Sequence, residues 1–271
     1  MTSGLSGKVA FITGVARGQG RAHAVRLARE GVSIIGVDIC ADIESMDYSN
    51  ASPADLEETK KLVEAEGGKI LARVADVRDQ AALQAVFEEG LAEFGRVDIV
   101  IANAGIVRFT EVDPVTEWRD IIDTNLTGVW NTCRVAIPAL VEGGRGGSIV
   151  ITSSSAGIKG TGSPIAGSQA YTAAKRGLVG LMQVFANDLA PHDIRVNTIH
   201  PTGVNTGMIN NQAFLDVVAA AGAGLSTMQN ALPVQVLQPE DIAESVAWLV
   251  SDAARYITGV ALPVDAGFTV R

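Results

Sequence analysis

The sequence predicts an α/β fold in which helices cover both faces of a doubly wound parallel sheet. Three observations predict it. Short runs of near-continuous Val, Ile and Ala recur along the chain, as parallel strands buried on both faces require. Amphipathic stretches of helical length separate them. A glycine-rich turn joins the first run to the first such stretch. With 271 residues, 47% of them hydrophobic and 19% charged, the chain can build one large core and does not have the composition of a disordered segment.

The strand runs are Lys8–Ile12, Ser33–Val37, Ile70–Ala75, Ile99–Ala102, Ser148–Thr152, Arg195–Ile199 and Val260–Val264. Arg21–Glu30, Gln80–Phe94, Trp118–Leu140, Ala173–Leu189 and Pro239–Leu249 read as helices between them. No repeat, low-complexity tract or linker breaks the alternation, so residues 1–271 read as a single domain. Gly143 to Gly147 follows a helix and precedes a strand, and reads as a turn.

Two stretches depart from the rhythm. Cys40 to Gly68 is long against the ~2–6 residues usual between a strand and a helix. It reads as irregular through Asn50, then as a helix capped by Ser52 with Pro53 behind it, in which Glu57 can pair with Lys61. Thr206 to Leu237 follows the carboxyl end of a strand, where open sheets bind ligands. The excursion over residues 204–237 reads as cover for a substrate, with a plain surface loop as the alternative.

Bulk charge narrows the partners. A net charge of −9 argues against nucleic acid. No apolar run reaches membrane-spanning length, and Met1 to Lys8 lacks the layout of a signal peptide. Cys40 and Cys133 read as free buried thiols of a reducing, cytoplasmic compartment. His23, His192 and His200 have no ligand spacing, so no metal site is expected.

Chemistry collects at the expected strand ends. In Thr13 to Gly20 the glycines Gly14, Gly18 and Gly20 permit a tight turn and a close approach to a pyrophosphate at a helix N-terminus. Asp38 ends the second run, where a carboxylate accepts from the adenosine ribose and repels a 2′-phosphate. Arg17 is a mild counterweight, but Ile39 rather than an arginine follows Asp38, which favours NAD over NADP. Asp76-Val77 suits the adenine amino group, and Asn103-Ala104-Gly105 lets a ribose lie on backbone. Each pair alone fits an ordinary turn. Together they point to a dinucleotide.

Tyr171 and Lys175 stand four apart, on one helix face. A phenol titrating near ~10 is a poor base, and a neighbouring cation lowers that value. A serine of Ser153-Ser154-Ser155 could polarise an alcohol or carbonyl oxygen. The spacing alone arises by chance; beside a dinucleotide it becomes an acid/base pair.

In the order Thr13-Gly14-x3-Gly18-x-Gly20, Asp38, Asp76, Asn103-Ala104-Gly105, Asn125, Ser154, Tyr171-x3-Lys175 and Pro201 to Thr206, the chain resembles the short-chain dehydrogenase/reductase family over nearly its whole length. The resemblance implies a single Rossmann-type domain with a seven-stranded sheet, usually as a homotetramer, that uses NAD to interconvert a secondary alcohol and a ketone. It assigns catalysis to Asn125, Ser154, Tyr171 and Lys175. Cofactor binding falls to Gly14, Arg17, Gly18, Gln19, Gly20, Asp38, Ile39, Asp76, Val77, Asn103, Ala104, Gly105, Tyr171, Lys175, Val204 and Thr206. Two positions depart from the family pattern: Gln19 stands where an apolar residue is usual, and Pro201-Thr202-Gly203 replaces Pro-Gly.

The Gly18 to His23 run, the Asp38-Ile39-Cys40 turn with its insert, Gly180 to Met182, His200 to Val204 and Tyr256 to Gly267 resemble the carveol-dehydrogenase-like branch. That branch implies a hydrophobic terpenoid substrate, tightly held NAD and mycofactocin as redox partner. A non-catalytic dinucleotide sensor on the same fold is the alternative, and such proteins typically lose the tyrosine or the lysine.

Overall fold

A computed structural model describes residues 4–221 and 229–271. The sheet is seven-stranded and parallel, in the order β3-β2-β1-β4-β5-β6-β7. Its strands are β1 (Val9–Thr13), β2 (Ser33–Asp38), β3 (Ile70–Val74), β4 (Ile99–Ala102), β5 (Gly147–Thr152), β6 (Ile194–Pro201) and β7 (Ala261–Val264). The order reverses between β1 and β4, and a crevice opens beyond their carboxyl ends.

Successive strand side chains face opposite layers. Phe11 of β1 joins the layer built with α3 (Gln80–Phe94), α5 (Gly128–Gly143) and α7 (Ala166–Leu189), edge-on to Phe87 at 5.2 Å between centroids. Its neighbours Ala10 and Ile12 face α1 (Gly18–Ala28), α2 (Pro53–Ala65) and α9 (Pro239–Val250) instead. Both layers are built of buried apolar side chains on the two faces of the sheet. Their rigidity fixes where the strand ends, and hence the site residues, stand.

The element boundaries differ from the sequence reading in instructive places. The helix expected from Trp118 begins at Pro114, because Asp113 accepts from the backbone N–H of Val115 and Thr116 with proline at the first position. It runs as α4 (Pro114–Ile122), a π-helical turn (Asp123–Thr127) and α5. Helix α7 starts at Ala166 rather than Ala173, its first N–H taken by Glu111 at 2.7 Å, a cap supplied by a distant loop. Strand β6 extends to Pro201, and the excursion contains α8 (Gln212–Ala221).

The insert is irregular to Asn50 as read, and Ser52 and Asp55 then form a reciprocal cap on α2. Glu57 pairs with Lys60, not Lys61, at 2.9 Å. Gly143 to Gly147 is the expected turn, with Gly144 and Gly146 left-handed. Cys40 and Cys133 are free and buried. Residues 222–228 of the excursion lie outside the described residues.

Candidate active site

The strand ends meet in a cavity of about 1300 Å³ that takes in the glycine-rich turn, the insert and the excursion after β6. Gly14 is left-handed at φ 70°, and a Cβ on Gly20 would overlap the Gly14 carbonyl oxygen, so neither position accepts a side chain. Gly18 lies against Thr206, whose Cγ2 is 3.0 Å from where a Cβ would be. The N-terminus of α1 carries no side-chain cap and no acid in its first turn, which leaves its N–H groups for an anion.

Asp38 holds this turn in shape. One carboxylate oxygen accepts from Ala16 N–H at 2.9 Å and the other from Cys40 N–H at 3.2 Å. Burial raises its pKa while those bonds and Arg17 oppose the rise. The Arg17 guanidinium donates to the Ser49 carbonyl of the insert at 2.8 Å, so it tethers the insert across the turn. Ile39 packs near Ile43 and Tyr171. The Gln19 side-chain oxygen is buried with no partner among the described residues.

Asn103 ties three strand ends together. Its side-chain amide donates to the Thr13 carbonyl at 3.1 Å, and its side-chain oxygen accepts from Thr152 at 3.2 Å. Ala104 N–H donates to the Thr13 hydroxyl. A Cβ on Gly105 would stand 3.1 Å from the Asn125 side-chain oxygen and 3.4 Å from Lys175 Nζ, so this glycine keeps that corner open. Asp76 lines the cavity, but its carboxylate is held by Arg78 at 2.8 Å, a partner the sequence reading did not supply. Beside it, Val77 also lines the cavity. Val204 is buried and bridges to Leu237 across the base of the excursion.

On α7, Lys175 is buried and donates from Nζ to the Thr152 carbonyl at 2.7 Å. Burial pulls its pKa down to about 8. Tyr171 lies with its ring centroid 5.6 Å from that nitrogen. Its phenol is pushed up by burial, and the opposing influence is a hydrogen bond from Ser154. This corrects the expectation that the lysine charge lowers the phenol: in the protein alone, desolvation dominates and the serine opposes it.

The serine cluster resolves by geometry. Ser153 Oγ donates to the Lys175 carbonyl at 2.8 Å, and Ser155 precedes the short helix α6 (Ala156–Lys159). Only Ser154 reaches the phenol. A Cβ on Gly157 would press on Ser153 and on the Lys175 carbonyl, which is why glycine stands there.

Asn125 occupies the middle of the π-helical turn. It is fully buried, donating to the Ile106 carbonyl at 2.7 Å and accepting from Ile106 N–H at 2.8 Å. Such turns are rare and concentrate at functional sites. Thus Asn125, Ser154, Tyr171 and Lys175 converge on one corner of the cavity, beside Gly105.

Among the lining residues that sequence reasoning missed are Tyr48 and Phe109. Tyr48 of the insert is half-buried, accepts from Val107 N–H at 3.2 Å and has its phenol pushed up to about 12 by desolvation. Phe109 sits edge-on to Phe214 of α8 at 5.2 Å and joins the excursion to the loop after β4. Its being the one aromatic residue between Cys40 and Gly68 was the available signal for Tyr48.

A doubly wound parallel sheet with a glycine cradle at its first turn, and a Ser–Tyr–Lys corner beside it, defines a dinucleotide-dependent oxidoreductase. The family profile described as enoyl-(acyl carrier protein) reductase matches residues 14–269. An oxidoreductase of Mycobacterium tuberculosis is 57% identical over 265 residues, covering 97% of both chains. (−)-trans-Carveol dehydrogenase of Rhodococcus erythropolis is 46% identical over 98% of this chain and 99% of its own. The crystal structure of carveol dehydrogenase from Mycobacterium avium in complex with NAD superposes with a TM-score of 0.92, at 44% identity and full coverage of both chains. The chain belongs to the short-chain dehydrogenase/reductase family of oxidoreductases.

Proposed function

We propose that the protein interconverts a hydrophobic secondary alcohol and its ketone with NAD, and that the convergence of Ser154, Tyr171 and Lys175 beside the glycine cradle carries this reading. The residues present fit NAD. The tight turn that Gly14 and Gly20 permit, the uncapped start of α1 and a carboxylate rather than an arginine at the end of β2 suit a pyrophosphate and an unphosphorylated ribose. When bound, NAD supplies the acceptor for the substrate hydride.

The chain's own residues handle the proton and the oxygen. Tyr171 takes the hydroxyl proton of the alcohol as the carbon–oxygen bond gains double-bond character, and returns it in the reverse direction. Ser154 holds the same oxygen and steadies the phenolate. Lys175, anchored on the Thr152 carbonyl, would hold a ribose hydroxyl of the bound nucleotide and offers its positive charge to the phenolate. Asn125 fixes the helix distortion and the Ile106 backbone that frame this corner, and a water held there would complete a proton relay.

The far wall is apolar. Phe109, Met208, Ile209, Phe214, Leu232 and Phe268 line it, which supports a terpenoid-like substrate over a charged one. The insert is tied over the cavity by Ser49 on Arg17, Tyr48 on Val107, and Asp47, which accepts from Phe109 and Thr110 N–H at 3.0 and 2.9 Å. These ties support retention of NAD between turnovers and reoxidation by a carrier such as mycofactocin. No helix among the described residues is long and apolar enough to cross a membrane. Exposed Trp118 and Trp130 along the α4–α5 helix support a homotetramer, and the free buried thiols support a cytoplasmic location.

Tyr171→Phe tests the reading. Turnover of a carveol-like alcohol, followed with an artificial acceptor dye, should vanish while NAD remains bound. Full residual activity would sink the assignment.

A further inference from the structure

The pairing between β5 and β6 continues past the end of β5. Ser153 N–H donates to the Ile199 carbonyl at 2.8 Å and Ser155 N–H to the Pro201 carbonyl at 2.9 Å. The Ser154 carbonyl lies between these two rungs; Gly157 N–H donates to it at 2.9 Å from the turn that follows, and from β6 it meets a side chain, His200 Nδ1 at 2.7 Å. A carbonyl oxygen can only accept, so Nδ1 carries the hydrogen. Nε2 is then the acceptor for the Thr198 hydroxyl, 2.8 Å off. Both His200 and Thr198 are fully buried, so one neutral tautomer is locked between two fixed partners.

We infer that His200 is a positioning residue that clamps the Ser154 backbone and thereby aims its hydroxyl at Tyr171. The inference rests on the catalytic reading of Ser154 and Tyr171 given above. Gly157 N–H on its carbonyl and Ala156 N–H on its Oγ, at 3.2 Å, tie Ser154 to the turn that follows, and the imidazole supplies the tie to β6 that the backbone of β6 does not. The groups facing the ring are Lys175, Arg176 and Asp265; burial and the two cations push its pKa down, so it stays neutral across the working range.

The test compares His200→Asn, His200→Gln and His200→Leu with Tyr171→Phe, by dye-linked alcohol oxidation against pH and by thermal unfolding. Asn places an amide donor where Nδ1 stands; Gln places it nearer Nε2, and Leu has none. A donor misplaced by about an ångström can cost roughly a hundredfold in rate, so Leu and Gln should lose tenfold to a hundredfold in kcat. Their kcat profile should shift to higher pH, because a Ser154 that drifts no longer lowers the phenol. Asn should restore most of both. If the Leu variant does not fold, the Asn and Gln pair carries the same comparison.

Rates that follow only the unfolding temperature, with an unmoved pH profile and no advantage of Asn over Gln, would overturn the inference. Should Tyr171→Phe stay active, the catalytic reading beneath it fails instead.

Discussion

Lys175 Nζ donates to the carbonyl of Thr152, so the last residue of β5 and the active helix α7 share a buried charge-assisted bond. The bond is made at the cost of desolvating the ammonium, which lowers its pKa from 10.5 to about 8. The sign for stability follows. Between about pH 8 and 10.5 the unfolded chain keeps a proton that the folded chain has lost, so this lysine's contribution rises with pH in that window. Lys175→Met should flatten that rise in chemical unfolding curves at pH 8 and pH 10. It should also depress turnover by about a hundredfold or more.

Asn125→Ala should cost both stability and rate. It strips the buried Ile106 N–H and carbonyl of their partners. Two unsatisfied groups of that kind cost roughly 2–4 kcal/mol. In a chain of this size that is a fall of roughly 5–10 °C in Tm. Asn125→Asp retains an acceptor for Ile106 N–H but not the donor to its carbonyl, and calorimetry should place it between the two.

Asp38→Asn should relax cofactor choice. An amide oxygen can still accept from Ala16 N–H, though the acceptor for Cys40 N–H is lost, while the charge that repels a 2′-phosphate is gone. Relative use of NADP should rise about tenfold or more, the equivalent of roughly 1.4 kcal/mol. An unchanged NAD to NADP ratio in the dye-linked assay would show that Arg17 and the turn decide instead.

Asp47→Ala should loosen the insert. It deletes an acceptor for Phe109 N–H, Thr110 N–H and the Thr110 hydroxyl at once. Nucleotide carried through gel filtration should then leave faster, while Tyr171 and Lys175 are untouched. Equal retention in both proteins would mean that the insert does not hold the cofactor.

Much of the frame was legible because buried parallel strands announce themselves as Val/Ile/Ala runs and strand ends carry glycine and carboxylate. The sheet and the residues around Gly14, Asp38 and Asn103 were found this way. What could not be read was supplied by distant partners. Glu111 starts α7 seven residues earlier than its own sequence suggests, from Ala166 instead of Ala173. The π-helical turn at Asn125 exists through its bonds to Ile106, which no local pattern encodes. The choice of Ser154 over Ser153 and Ser155 rested on family register, and the side-chain directions now give a physical reason for it. His200 has no metal-ligand spacing, and nothing in the sequence around it says that it faces the Ser154 carbonyl.

The insert between β2 and α2 grips two places at once, Arg17 of the phosphate turn and the Val107 to Thr110 loop that walls the alcohol pocket. On the proposed reading, releasing the nucleotide would mean dismantling the wall of the neighbouring chamber. A protein built this way is expected to treat its nucleotide as resident equipment, with reduced and oxidised visitors alternating beside it. Initial rates plotted against alcohol at several acceptor concentrations should then give parallel rather than converging double-reciprocal lines, the pattern of a ping-pong cycle.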